Sequence, residues 1–160
     1  MSLSKLRKFL DSHNVKYLVM SHSLAYTAQG IAALTHVSGK KLAKTVIVKI
    51  DGTLAMAVVP ASLHVDVHRL RTLTGARSAE IASEREFQNA FPDCETGAMP
   101  PFGNLYDLPV YADASLAEHE EITFSAGTHR ELMRMAWADL ARLVDPQIIN
   151  LTRRPAMAAA

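Results

Sequence analysis

The chain has one cysteine, Cys94, in 160 residues, so an intramolecular disulfide is excluded. No stretch approaches the roughly 18 consecutive apolar residues of a membrane span. The N-terminal Met1-Ser2-Leu3-Ser4-Lys5-Leu6 lacks the continuous apolar segment of an export signal. Together these absences favour a cytosolic protein with no membrane partner. A strong charge of one sign is missing too. Seventeen Lys and Arg stand against 16 Asp and Glu, a net charge of +1. That is not the balance of a general nucleic-acid binder, although Lys40, Lys41 and Lys44 leave room for a local basic patch. There is no G-x-S-x-G elbow, no P-loop and no G-x-G-x-x-G. Asp93 and Glu95 flank Cys94, and neighbouring negative charge disfavours a thiolate. His64 and His68 bracket Asp66, but no third or fourth ligand stands nearby. Neither a metal nor a cofactor is expected.

What is present is ordinary globular composition, 49% apolar and 21% charged. At this length one domain is the simplest reading, residues 1–150, with 151–160 as a frayed tail. Helices are expected over 3–13, with Asn14 as a stop, and from Thr27 to about Val37. Val15 to Val19 alternates as a short strand. Lys41–Ile50 and Thr53–Val59 read as strands joined by Asp51-Gly52, a strong hairpin signal. Val67, Leu70 and Leu73 share one face of a helix closed by Gly75. Ser83-Glu84-Arg85-Glu86 is a capping box opening a helix through Ala90. Residues 91–109 form a long loop with four prolines and two glycines, followed by strands at 110–112 and 122–125. The segment 129–144 fits one long helix or a strand plus a short helix, and periodicity does not choose.

Lys44 stands out. Alternation puts Leu42, Lys44, Val46, Val48 and Ile50 on one face, apolar except for the lysine. Lys49 falls on the other face, where a solvated lysine is ordinary. An unpaired buried ammonium costs several kcal/mol or gives up its proton. Either Lys44 snorkels to the strand end, or it points into a pocket and meets a phosphate or carboxylate. Gly97-Ala98-Met99-Pro100-Pro101-Phe102-Gly103 is a second candidate: glycines admit close approach, and a stiff Pro-Pro loop can aim backbone N–H groups at a developing oxyanion. Equally, it could be a rigid structural turn. Gly127-Thr128-His129, after a strand ending in small residues, is the third.

Six segments together resemble the YbaK/prolyl-tRNA synthetase-associated editing-domain family over about residues 20–145. They are His22 with Ala25-Tyr26-Thr27-Ala28-Gln29, Leu42-Ala43-Lys44-Thr45-Val46, Ala57-Val58-Val59-Pro60-Ala61, Ala82-Ser83-Glu84, the 97–103 loop, and Gly127-Thr128-His129. Gly30 departs from the glutamate common in similar free-standing members. The resemblance implies an α+β fold, a mixed barrel-like β-sheet surrounded by helices, and so strand plus short helix over 131–143. It implies hydrolysis of the ester joining a wrong amino acid to tRNA, with no protein nucleophile. Lys44 would take phosphate near the tRNA 3′ end, and Gly97 and Gly103 would frame the loop positioning the scissile carbonyl. Tyr26, Ile31, Leu34, Met99 and His129 are the candidate pocket walls. The implied partner is the acceptor end of an aminoacyl-tRNA, with an aminoacyl-tRNA synthetase left open as a second. The rival reading is a binding module of the same fold without turnover.

Overall fold

The computed structural model describes residues 2–22 and 37–152. The expected helix from Thr27, with Gly30 and the wall candidates Tyr26, Ile31 and Leu34, lies outside the described residues. Helix α1 spans Ser2–Ser12. Asn14 ends it in the left-handed region (φ 56°). The Asn14 N–H reaches the Asp11 carbonyl and the Val15 N–H the Leu10 carbonyl, each at 3.1 Å. This is a Schellman closure with Val15 as its apolar contact. Val15 is therefore used by the helix end, and strand β1 begins later than expected, at Tyr17–Ser21.

Strands β2 (Leu42–Ile50) and β3 (Thr53–Pro60) form the central hairpin. Its turn residues Asp51 and Gly52 have φ of 51° and 80°. Positive φ at both positions is what a type I′ turn demands. Then follow α2 (Val67–Thr74), β4 (Ala79–Ile81), α3 (Glu84–Phe87), β5 (Val110–Asp113), β6 (Glu121–Ser125), β7 (Glu131–Ala136), α4 (Trp137–Val144) and β8 (Gln147–Ile149). The 131–144 segment is thus strand then helix. The sheet is mixed and eight-stranded, in the order β1-β7-β6-β2-β3-β5-β8, with β4 added to β2. β2/β6, β3/β5 and β5/β8 are parallel, and the other pairs are antiparallel.

Both faces of the central hairpin are covered. One face carries Ala43, Ile47, Met56 and Val58 into the main core, with Leu6 and Leu10 of α1, Phe87 of α3, Leu140 of α4, and Phe102 and Phe124. The other carries Val48, Ala55, Ala57 and Val59 against Leu70 of α2 and Leu151. Each such side chain contributes about 1.5–3 kcal/mol on burial, so the hairpin is held from two sides.

Several expectations change here. Leu73 does not share the buried face of α2: it is 51% exposed, and Leu70 alone is buried. The capping box at Ser83 and Glu86 forms, but α3 stops at Phe87 rather than Ala90. Lys49 is not simply solvated. Its ammonium hydrogen-bonds Glu86 and lies 3.3 Å from Glu80. The Lys49 bond, with those from Ser83, holds the Glu86 carboxyl down at about 2. The tail does not begin at 151, because Leu151 and Thr152 are buried. The reason is Asp113, 1% exposed. Its Oδ1 accepts the Leu151 N–H at 3.0 Å and the Thr152 hydroxyl at 3.1 Å. Its Oδ2 accepts the Ser115 N–H at 3.2 Å and the Ser115 hydroxyl.

Asp113 faces four donors with two acceptor oxygens, an arrangement an amide cannot match. Asp113→Asn turns an NH2 toward two donors and should cost about 1–3 kcal/mol. The expected outcome is a lower thermal midpoint and faster proteolysis after residue 150. An unchanged melt would show that the carboxylate does not hold this segment.

Candidate functional site

The site begins with a fork in the sheet. Along one edge β2 pairs with β3 over its whole length, Ala43 to Ile50. Along the other it pairs with β6 only at Leu42 and Ala43, and with β4 only at Val48 to Ile50. Between them that edge is open, bridged by the Ala82 N–H to the Ile47 carbonyl at 2.9 Å. Lys44 is the first residue past the point where β6 leaves. Beside it β6 runs on through Ser125 into the turn that carries His129.

Lys44 is half-buried and lies opposite Val59, itself fully buried. Its ammonium makes no hydrogen bond or ion pair among the described residues. Burial alone pushes its pKa down from the ordinary lysine value. The contrast with Lys49, five residues along the same strand, is direct: Glu86 and Glu80 raise that one. A lysine held partly desolvated without a counter-ion is suited to an anion from outside.

The 97–103 loop and the His129 turn come together. Gly97 has φ +88° and Gly127 φ +103°, both in the left-handed region. The His129 ring Nε2 lies 2.8 Å from the Thr96 carbonyl, which assigns Nε2 as donor. A Cβ on Gly97 would lie 3.5 Å from His129 Cε1. His129 is buried, at 7% exposure, and Met99 at 3%. Met99 Sδ accepts the Gly97 N–H at 3.3 Å, and sulfur is a weak acceptor. The Ala98 N–H goes to Glu95 and the Phe102 N–H to Pro100. Pro100 and Pro101 have none to give. The N–H donors in this loop that meet no oxygen among the described residues are therefore those of Gly97, Met99 and Gly103.

Gly103 also has a packing role. A Cβ there would lie 2.5 Å from Val110 Cγ2 and 2.7 Å from the Leu108 carbonyl oxygen. Gly103 itself accepts from Tyr106 and Leu108. It is a close-packing glycine at the end of the loop, and its own N–H meets no acceptor among the described residues. Lys44 makes no hydrogen-bond contact with the loop or with His129. The fork relates them through the strand register.

The remaining candidates fall away on geometry. Burial first, then Asp93, pushes the Cys94 thiol up to about 11, although the Tyr106 hydroxyl 3.3 Å away works against this. Cys94 is thus a protonated thiol at neutral pH. His64 precedes the first turn of α2, so His64 and His68 do not share a helix. Asp66 between them is used as the N-cap of that helix. Among the described residues no group of three or more metal-ligating side chains could hold a metal ion. A groove of about 610 Å³ opens beside Thr123, Lys41 and Arg134. Glu118, Glu120 and Glu121 also line it, so its cations are offset. Of the described candidate site residues, Lys44, Gly97, Met99, Gly103 and His129 do not line it. Sequence reasoning missed Glu95, whose carboxylate accepts the His129 N–H at 2.6 Å. No pattern marks a residue whose partner is 34 positions away.

Fold and site together define a protein of the aminoacyl-tRNA editing kind. The family model for the aminoacyl-tRNA editing domain matches residues 22–143, and the chain belongs to that family. The multifunctional Ser/Thr-tRNA deacylase ProXp-y of Escherichia coli strain K12 is 25% identical over 154 residues, 93% of this chain and 92% of that protein. The proline–tRNA ligase of Bacillus mycoides strain KBAB4 is 26% identical over 87 residues, 54% of this chain and 15% of the ligase. A solved structure provisionally assigned as a trans-editing enzyme for prolyl-tRNA synthetase shares the fold. It superposes with TM-score 0.80 at 21% identity, over 96% of this chain and 98% of its own. Among the described residues no helix is long and apolar enough to cross a membrane.

Lys44 should lower stability when charged. Its folded pKa is depressed, so between that value and the unfolded one, roughly 10.4, the unfolded chain binds more protons and stability rises with pH. Lys44→Met should therefore be at least as stable as wild type at pH 7, with the gap narrowing by pH 10. Parallel thermal melts measure it. A gap independent of pH would sink the desolvated-cation reading.

Proposed function

We propose that this protein is a trans-editing deacylase that hydrolyses the ester between a small, wrongly attached amino acid and the terminal ribose of its tRNA. The observation that carries this is a combination. A partly buried Lys44 with no ion pair among the described residues occurs together with a glycine-opened loop whose Gly97 and Met99 N–H groups meet no oxygen, and Cys94 is held as a thiol. An aminoacyl ester is already reactive, so positioning and oxyanion stabilisation can supply most of the rate. Water adds to the carbonyl carbon, and negative charge collects on the carbonyl oxygen near the Gly97 and Met99 N–H groups. The bond to the ribose oxygen then breaks, that oxygen takes up a proton, and free amino acid and tRNA leave. A neighbouring ribose hydroxyl or the substrate's own groups assist the water.

Lys44 takes a phosphate near the tRNA 3′ end, which supplies affinity without reading bases. His129 and Met99 form part of the wall around the amino-acid side chain. The small slot behind Met99, about 10 Å³, holds at most a water and is not that pocket. A prolyl-tRNA synthetase is the partner that would supply charged tRNA, by analogy with the relatives above.

The test is a panel of mischarged tRNAs, with loss of the ester followed in time. Turnover on any of them supports the enzyme, whereas saturable binding without turnover makes the protein a binding module. On the substrate that is cleaved, Gly97→Ala forces a Cβ into the left-handed region, and misplacement near 1 Å costs roughly 100-fold. Single-turnover rates should fall by about that factor. Filter binding should change little, because the Lys44 contact remains. Weaker binding with an unchanged chemical step would reassign the loop as a docking surface.

A further inference from the structure

We propose that Glu95 is a positioning residue that sets amino-acid selectivity by locking the His129 turn to the Gly97 loop. The inference rests on the deacylase reading above. The hairpin between β6 and β7 closes at Ala126, whose N–H reaches the Glu131 carbonyl at 3.0 Å. The four residues beyond, 127–130, make no backbone hydrogen bond to one another. Two of their donors leave the turn and one stays within it. The Gly127 N–H goes to the Ala98 carbonyl at 2.9 Å, the His129 N–H to Glu95 Oε1 at 2.6 Å, and the Arg130 N–H to the Thr128 hydroxyl at 3.3 Å. The turn is therefore tied on the outside to the segment 95–98 by two of these bonds, and the third lies within it.

Glu95 is the residue that serves both sides. Its N–H donates to the Gly127 carbonyl at 2.8 Å, and its carbonyl accepts from Ala98 at 3.0 Å. Its side chain holds the His129 backbone, while the His129 ring bonds the Thr96 carbonyl next door. Gly97, the loop's positive-φ glycine, sits under that ring. Only the side-chain bond is removable by mutation without touching the backbone. Losing it frees His129 to shift while the loop itself stays closed. Discrimination by one methyl group depends on wall position, and is worth about 10–200-fold in a well-made pocket.

The experiment compares Glu95→Ala and Glu95→Gln with wild type. The substrates are two pairs of charged tRNA that differ by one methyl group, glycyl against alanyl and seryl against threonyl. Glu95→Ala should cut the wild-type discrimination ratio by about 10-fold. Binding of uncharged tRNA should be unchanged. Glu95→Gln keeps an oxygen acceptor and should restore the ratio, because the bond needs a lone pair rather than a charge. Amide hydrogen exchange at His129 gives a readout separate from turnover: protected in wild type and Glu95→Gln, fast in Glu95→Ala. A ratio within twofold of wild type in Glu95→Ala overturns the proposal. So does a Glu95→Gln protein that behaves like Glu95→Ala. A wild type that cleaves no charged tRNA overturns the deacylase reading and, with it, the selectivity role. In that case exchange still shows whether the clamp exists.

Discussion

The sharing of one strand edge between two partners is the constraint on which the rest depends. β2 cannot pair with β6 and β4 at the same residues, so its outer edge opens between them. Lys44 stands at that opening, and β6 runs past it toward the turn that carries His129. The opening is affordable because the other edge of β2 is paired with β3 throughout and both faces of that hairpin are packed. An interrupted edge in a less supported strand would leave backbone groups unpaired at about 1–3 kcal/mol each. Here the Ile47 carbonyl is met by Ala82, and the strand keeps its course.

Two lysines on this strand show how the same side chain takes opposite roles. Lys49 is near the hairpin turn, where β4 and α3 bring Glu80 and Glu86 to it. Lys44 is at the fork, where burial lowers its pKa and no carboxylate answers. The first is a structural tie and the second an unmet charge. In the proposed reading a tRNA phosphate meets the second. Cys94 sits close to the loop in sequence but is held protonated by its surroundings.

The loop pair adds a different principle. Gly97 and His129 come from segments more than thirty residues apart, and several of the hydrogen bonds that fix each segment cross to the other. Each completes the other through Glu95, Ala98 and Gly127. Such mutual closure gives a rigid wall at little cost in buried area. It also makes the wall sensitive to one exposed side chain, which a survey of buried residues would pass over.

Much was legible from residues alone, and for local reasons. Asp51-Gly52 dictates its turn, Ser83 and Glu86 cap a helix, and Asn14 ends one, because each works within a few residues of backbone. The period-2 pattern placed Lys44 on an apolar face, since alternation along a strand is fixed by covalent geometry. Tertiary structure decided the rest. Three-residue strands such as β4 and β8 carry no readable period and exist only because neighbours pair with them. Residues 131–144 had two locally acceptable readings, and the open edge of β6 selected strand for 131–136. Leu151 and Thr152 belong to the domain because Asp113, 38 and 39 residues earlier, holds them. Gly103 reads in sequence like a catalytic-loop glycine and is in the fold a gap filled by Leu108 and Val110. Sequence determines what each segment can do by itself. Which residues meet across long separations, and so which charges are answered and which are left for a substrate, depends on the assembled sheet.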